Sequence, residues 1–258
     1  GAGTINMTGG TFLVDGAGNF GGAGAWVFDS LTFGNGSGVA ATTTAGTGSI
    51  TVNETLTIAT AQTLNPGVKT WILTDSDGCP CSPLINGSGG NFNAAGSTFI
   101  FNSTAATTIP TGNSHMVYFG NLTLSPAATV TYTLAGGYLS AANWVIGDGS
   151  NALTVDANTL DSVFDVSGNL TIQANATYLK SSSTTQSYIR SGGTQIVTDN
   201  TASKQDLGIV HVTIGTTVQM GSSLNVTKLE VASDVGNSLD LNGHTLTLLG
   251  SGTGASMP

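Results

Sequence analysis

Short runs of alternating apolar and polar residues recur along the chain and restrict its fold more than any other feature. Each has only three to five residues between Gly, Asn, Asp or Ser, as at residues 49–52, 131–134, 170–172 and 210–214. A period of two places successive side chains on opposite faces of a strand, and short runs between turn residues are typical of β-strands. No window keeps the i, i+3, i+4, i+7 spacing of an amphipathic helix. The sequence therefore predicts an all-β protein.

One of these motifs returns at a distance that suggests stacked turns. Gly-Asn-Leu-Thr-Leu at residues 120–124 returns as Gly-Asn-Leu-Thr-Ile at residues 168–172, 48 positions later. Two turns of about 24 residues account for that distance, and imperfect repeats of about 20–25 residues with two or three strands each are typical of a β-solenoid. We therefore predict that residues 1–258 form one segment of a right-handed parallel β-helix. Tandem β-sandwich domains are the alternative, although no linker and no Cys–Trp–Cys pattern indicates them.

Charged side chains are scarce. The 258 residues include five Lys or Arg and 14 Asp or Glu, for a formal net charge of −9. So few basic residues argue against a nucleic-acid partner, because that affinity depends on Lys and Arg at phosphates. No apolar run approaches the roughly 20 residues that cross a bilayer, so we expect no membrane-spanning segment. The composition favours an extracellular, non-catalytic protein, and the strand-like start at Gly1 predicts a part of a longer repetitive chain.

Residues 74–93 are the least regular stretch and predict a loop that leaves the solenoid. Asp75 and Asp77 belong to an Asp-Ser-Asp-Gly run that resembles the start of a calcium loop, although the Glu that closes an EF-hand loop is missing. An acidic turn is the alternative for these two residues, and no other cofactor is expected. Cys79 and Cys81 flank a single Pro, which fits neither a CxxC redox motif nor a zinc site. These two cysteines could be free thiols, form a local disulfide or cross-link two subunits, and the sequence does not decide among these states.

Catalytic and metal-binding constellations are sparse. Asp156 and Asp161 are the nearest approach to the carboxylate pair of a glycoside hydrolase, but no Lys, Arg or His stands near them. Solvated turn residues are the simpler interpretation. His115, His211 and His244 share no ligand spacing. His211 alternates with Val and should lie on an outer strand face, and His244 follows an Asn-Gly turn.

The sequence offers candidate residues for two kinds of binding surface, one for sugars and one for ice. Trp26, Trp71 and Trp144 lie in strand-like runs and should be partly buried. A carbohydrate-binding protein would instead expose aromatic rings in a row, where they stack on sugars. Thr-rich stretches such as residues 42–44 suggest an ice-binding surface, which needs a regular array of Thr residues. These stretches do not recur at a constant spacing of one turn.

A family resemblance accompanies these patterns. Residues 118–173 include Gly-Asn-Leu-Thr-Leu-Ser-Pro-Ala, Ile-Gly-Asp-Gly-Ser-Asn-Ala-Leu-Thr-Val and Val-Ser-Gly-Asn-Leu-Thr-Ile-Gln, and residues 239–247 read Leu-Asp-Leu-Asn-Gly-His-Thr-Leu-Thr. These stretches resemble large repetitive bacterial cell-surface proteins, similar in style to filamentous-haemagglutinin and autotransporter passengers. The resemblance implies a β-helical adhesin or fibre and carries no catalytic motif.

The sequence thus predicts a structural protein that forms a fibre, filament or adhesin stalk at the cell surface. Residues 3–8 and 239–249 are strand-like without a polar cap, which predicts that copies associate end to end by strand pairing. Surface glycans are the other expected partner. A carbohydrate-binding or carbohydrate-active β-helix is the first alternative function, and an ice-binding solenoid is the second.

Overall fold

The chain folds into a parallel β-solenoid with three strands in each turn. The computed structural model describes residues 3–37, 40–76, 82–87, 90–111, 117–182 and 186–250, and these contain strands but no helix. The prediction of an all-β solenoid is confirmed, and its right-handedness stays a prediction. No helix in these ranges is long and apolar enough to span a membrane.

The strands stack in three columns, which we name the first, second and third face. The first face contains β1 (Ile5–Asn6), β4 (Trp26–Phe28), β7 (Ile50–Val52), β10 (Thr70–Leu73), β19 (Leu170–Ile172), β22 (Gly193–Asp199), β24 (Thr216–Met220) and β27 (Ser238–Asp240). The second face contains β3 (Gly18–Phe20), β6 (Ala40–Thr44), β9 (Gln62–Asn65), β18 (Ser162–Val166), β21 (Ser187–Arg190), β23 (Ile209–Thr213) and β26 (Lys228–Val231). Three long strands, β12 (Asn91–Phe101), β14 (Val117–Leu124) and β16 (Gly137–Ile146), run from the second face into the first.

The third face is divided into shorter sheets. Its strands are β2 (Thr11–Val14), β5 (Ser30–Phe33), β8 (Leu56–Ile58), β11 (Leu84–Asn86), β13 (Thr107–Ile109), β15 (Val130–Leu134), β17 (Leu153–Asp156), β20 (Ala176–Leu179), β25 (Leu224–Val226) and β28 (Leu246–Leu248). They form two four-stranded sheets and one pair, and an isolated bridge joins Asp206 to Asn225. All these pairings are parallel, so each strand lies beside its counterpart one turn away.

The register of the first face gives the length of each turn. One inward position pairs from turn to turn through Ile5, Trp26, Ile50, Trp71, Phe99, Leu122, Trp144, Leu170, Val197 and Met220. Successive partners lie 21 residues apart at the shortest and 28 at the longest, and about ten turns stack in total. Leu122 and Leu170 both pair with Trp144, so the 48-residue echo in the sequence does correspond to two turns.

The longest turn contains residues 74–93. Its described part includes β11, which pairs with β8 through Leu84 and Leu56, and the first residues of β12. Residues 77–81 and 88–89 lie outside the described residues. Part of the predicted loop therefore contributes a third-face strand to the solenoid.

Alternation of side chains separates the core from the surface. In β7, Ile50 and Val52 are buried while Thr51 faces outward, as expected for a strand with one apolar face. Aromatic rings fill the core of the middle turns. Trp71 and Phe99 stack with their centroids 5.6 Å apart and their planes 4° apart. The core is thus one continuous column shared by neighbouring turns.

The outer surface of the first face carries uncharged β-branched side chains. One outward column consists of Val27, Thr51, Ile72, Ile100, Thr123, Val145, Thr171 and Thr198, which pair from turn to turn. Thr residues therefore do align across turns of unequal length, but Val and Ile interrupt the row of hydroxyl groups.

Candidate functional site

The most distinctive polar surface lies on the outer side of the second face. One outward position there pairs from turn to turn through Tyr118, Ser140, Asp165, Tyr188, His211 and Glu230. The neighbouring residues of each strand point into the core, so the alternation of the strands brings these side chains to one surface. All six are half-buried.

Three rings form a row within this surface. The centroids of Tyr138 and Tyr188 lie 6.0 Å apart, and those of Tyr188 and His211 lie 5.5 Å apart. The guanidinium carbon of Arg190 lies 4.9 Å from the centroid of the Tyr188 ring. Desolvation raises the pKa of Tyr138 above its ordinary value, and the neighbouring Tyr188 raises it further. We call these four residues, together with Asp165, Gln186, Lys228 and Glu230, the Tyr188 cluster.

The charged groups of the Tyr188 cluster are paired. Arg190 donates from Nε and Nη2 to the two carboxylate oxygens of Asp165, at 2.8 and 2.6 Å. This bond raises the pKa of the Arg190 guanidinium. Lys228 Nζ lies 2.5 Å from Glu230 Oε1. Two cations therefore face two anions, and the cluster is electrically neutral overall.

Gln186 joins the two halves of the cluster. Its side-chain oxygen lies 3.1 Å from His211 Nδ1, and its amide nitrogen donates to Glu230 Oε2. Half-buried rings flanked by fixed donors and acceptors are suited to binding a polar ligand with an apolar face.

Of the two calcium candidates, Asp75 and Asp77, only Asp75 lies within the described residues. Asp75 is buried in a turn with φ of 46°, and Asp77 lies outside the described residues. Cys79 and Cys81 also lie outside them. The described ranges contain no group of three or more His, Cys, Asp or Glu that could hold a metal ion.

Asp156 and Asp161 both accept hydrogen bonds in the connections between strands. Burial alone would raise the pKa of Asp156, but hydrogen bonds from Thr159 and from the Asn158 amide lower it below the ordinary value. A carboxyl with a depressed pKa is ionised at neutral pH and is poorly suited to act as a general acid. Asp161 adopts φ of 59° and accepts a hydrogen bond of 2.5 Å from Ser181 Oγ.

The predicted positions of His211 and His244 are confirmed, whereas the predicted partial burial of the Trp residues is right only for Trp26. His211 lies on an outer face between the buried Val210 and Val212, and His244 follows a turn; His115 lies outside the described residues. Trp26 is half-buried. Trp71 and Trp144 are almost fully buried, at 0% and 1% exposure, so neither ring is available to a ligand.

The last described turn leaves an apolar concavity of about 900 Å³. It is lined mainly by β26, β27 and β28 and by the turns between them. Leu239 and Leu246 are half-buried there, and Leu241 and Leu248 are each 45% exposed. Strand β28 pairs with β25 on one side only among the described strands. This edge can receive one more parallel turn.

Comparison of the chain with models of protein families, with curated proteins and with solved structures finds no match. The functional argument therefore depends on the chain's own geometry.

Sequence reasoning missed the Tyr188 cluster because its members come from distant positions. Tyr138 and Tyr188 are 50 residues apart, and turns of unequal length separate them. The available local signal was the spacing of Tyr188 and Arg190, which puts an aromatic and a cationic residue on the same side of one strand.

Proposed function

We propose that this chain is a non-catalytic structural segment of an extracellular fibre or adhesin stalk. The observation that supports this most is the parallel register of the first face, which continues through about ten turns. Turns stacked at about 4.8 Å give a rod of roughly 50 Å in which each turn is tied to its neighbours by main-chain hydrogen bonds. Such a rod is suited to hold other parts of a surface protein at a distance from the cell.

The chemistry of the carboxylates supports a role without catalysis. Asp156 and Asp161 are engaged in turns, and Asp165 is paired with Arg190. A glycoside hydrolase needs one carboxyl that holds a proton at working pH and a second that is ionised, both facing one cleft. The depressed pKa of Asp156 is the opposite of what the acid in such a pair requires.

Association would use the open edge beside β28. An unpaired strand edge next to exposed apolar side chains can pair with another parallel turn, and this holds whether that turn belongs to the same polypeptide or to a second copy. In our proposal, such stacking extends the rod.

Electron microscopy of the concentrated protein tests this proposal. We expect end-to-end filaments from the wild-type chain and single rods from the Leu246→Asp/Leu248→Asp variant, because two carboxylates would be desolvated in the contact. Leu179→Asp is the matched control. Leu179 is 43% exposed on the side of the rod, against 45% for Leu248, so this variant should still form filaments. Wild-type protein that stays monomeric at high concentration, or filaments that survive the double substitution, would show that the edge does not mediate assembly.

A further inference from the structure

We infer that the Tyr188 cluster is a binding site for a neutral, extended oligosaccharide. The first reason is the row of rings. Tyr138, Tyr188 and His211 lie with centroids 6.0 and 5.5 Å apart on the surface of the rod. Aromatic rings bind the apolar C–H face of a sugar by stacking, while their polar atoms remain available for hydrogen bonds. This inference does not depend on how the rod assembles.

The charge of the site selects the ligand class. Arg190 is held by both oxygens of Asp165, and Lys228 is held by Glu230. Each cation already has its anion, and the chain as a whole has a formal charge of −9. A carboxylated or sulfated glycan would find no free cation here and would be repelled by the protein's net charge. A neutral oligosaccharide needs no free cation and is not repelled by the net charge, so neither effect weakens its binding.

The paired side chains also supply the polar contacts that fix a sugar. A carboxylate accepts hydrogen bonds and a guanidinium or amide donates them, so neighbouring hydroxyl groups of a sugar find both kinds of partner around Tyr188. Asp165, Arg190 and Gln186 are held in place by their bonds to each other or to His211. A site whose polar groups are fixed before binding loses less entropy when the ligand arrives.

The direction of the row gives the shape of the ligand. Tyr138, Tyr188 and His211 belong to β16, β21 and β23, three different turns of the second face. Tyr188 and His211 are paired neighbours, whereas β18 lies between the strands of Tyr138 and Tyr188, and Tyr138 is placed two residues before the position aligned with Tyr188. The row therefore runs along the rod over four strands that lie about 4.8 Å apart. Neighbouring rings in the row are tilted by 42° and 38°, but the row itself extends along the rod. It therefore suits an extended chain such as a β-1,4-linked glucan better than the curved chain of an α-1,4-linked glucan.

Calorimetric titration with cellohexaose tests the site, with maltohexaose and oligogalacturonate as comparison ligands. We expect the wild-type protein to bind cellohexaose with millimolar or tighter affinity and to prefer it to both others. Tyr188→Ala and Tyr138→Ala should each weaken binding by about tenfold or more, because each removes a stacking ring. Tyr188→Phe keeps the ring and should stay within about twofold of the wild type.

Leu179→Ala is the control for a general effect of surface substitution, since Leu179 lies on the third face away from the cluster. Thermal unfolding of each variant shows whether it keeps the wild-type fold. The site assignment is wrong if cellohexaose does not bind at millimolar concentration, or if it binds equally to folded Tyr188→Ala and Tyr138→Ala. Stronger binding of oligogalacturonate would overturn the neutral class, and stronger binding of maltohexaose would overturn the extended shape.

Discussion

Glycines at the corner between the second and first faces determine how closely successive turns approach. At Gly48, a Cβ atom would lie 2.0 Å from the carbonyl oxygen of Gly24 in the preceding turn. The same corner holds Lys69, which is 2% exposed and whose ammonium donates to the carbonyl oxygens of Gly22 and Gly48 at 3.4 and 3.2 Å. Burial lowers the pKa of Lys69. The corner thus has room for backbone and for one long side chain, and for nothing more.

Gly48→Ala should lower the free energy of unfolding by about 2–3 kcal/mol, because the new methyl group forces two turns apart. Gly9→Ala is the matched control: no atom lies within 4 Å of the Cβ position at Gly9, so its effect should stay within about 0.5 kcal/mol. Chemical denaturation of both variants measures the difference. Equal losses of unfolding free energy in the two variants would mean that the corner accommodates the methyl group without destabilising the fold.

The sequence predicts that glycines mark corners, but it does not separate Gly48 from Gly9. That distinction depends on which residue of the next turn lies opposite, and therefore on the lengths of all the intervening connections. Both residues are flanked by small or polar neighbours. Only the register brings Gly24 against Gly48.

Strands were predicted more reliably than their connections. The alternation at residues 49–52 and 210–214 corresponds to β7 and β23 within one residue at each end. In contrast, β12 extends over 11 residues from Asn91 and passes from the second face into the first. Local periodicity identifies a strand, but it does not show whether the chain bends or breaks between faces.

Two buried tryptophans in equivalent strands offer a test of core hydrogen bonding. Trp71 Nε1 donates to the carbonyl oxygen of Pro66 at 3.3 Å, whereas no acceptor among the described residues bonds to Trp144 Nε1. Both rings lie at the same inward position of the first face.

Trp71→Phe should therefore destabilise the protein by about 1–2 kcal/mol more than Trp144→Phe. Both substitutions remove a similar apolar volume. Trp71→Phe also leaves the Pro66 carbonyl without its donor, whereas Trp144→Phe removes a buried donor that has no acceptor among the described residues. The two free energies of unfolding, measured by denaturant titration, give the comparison. A larger loss for Trp144→Phe would show that cavity formation outweighs the hydrogen bond.

At the scale of the whole molecule, stacking brings together residues that sequence analysis considers separately. The solenoid was predictable because its turns repeat, but the Tyr188 cluster was not, because turns of 21 to 28 residues have no fixed register in the sequence. The Trp residues were predicted to be partly buried, yet two of them fill the core, and outward Tyr and His rings form the aromatic row on the surface. The repeated motif thus predicts the solenoid, whereas the unequal lengths of the turns determine which residues meet in the candidate site.

The same one-dimensional architecture predicts that stability varies along the rod. Strand pairing ties each turn only to its neighbours, so a middle turn is held on two sides and the last described turn on one. The amide of Thr98 donates to Lys69 and the amide of Leu249 donates to Val226, each at 2.8 Å. Because the two bonds have the same length, a difference in their exchange with solvent reflects the opening of the turn and not the geometry of the bond.

Hydrogen–deuterium exchange should therefore show slow exchange at Thr98, close to the rate set by global unfolding, and faster exchange by about tenfold or more at Leu249. Thr98 precedes the buried Phe99 in a middle turn, whereas Leu249 is 50% exposed and adjoins the open edge of β28. Conditions that promote filaments should slow exchange at Leu249 and leave Thr98 unchanged, since a further turn would cover that edge. Equal protection at both amides in the monomer would show instead that the rod opens as one cooperative unit, and the nearest-neighbour description of this solenoid would then be wrong.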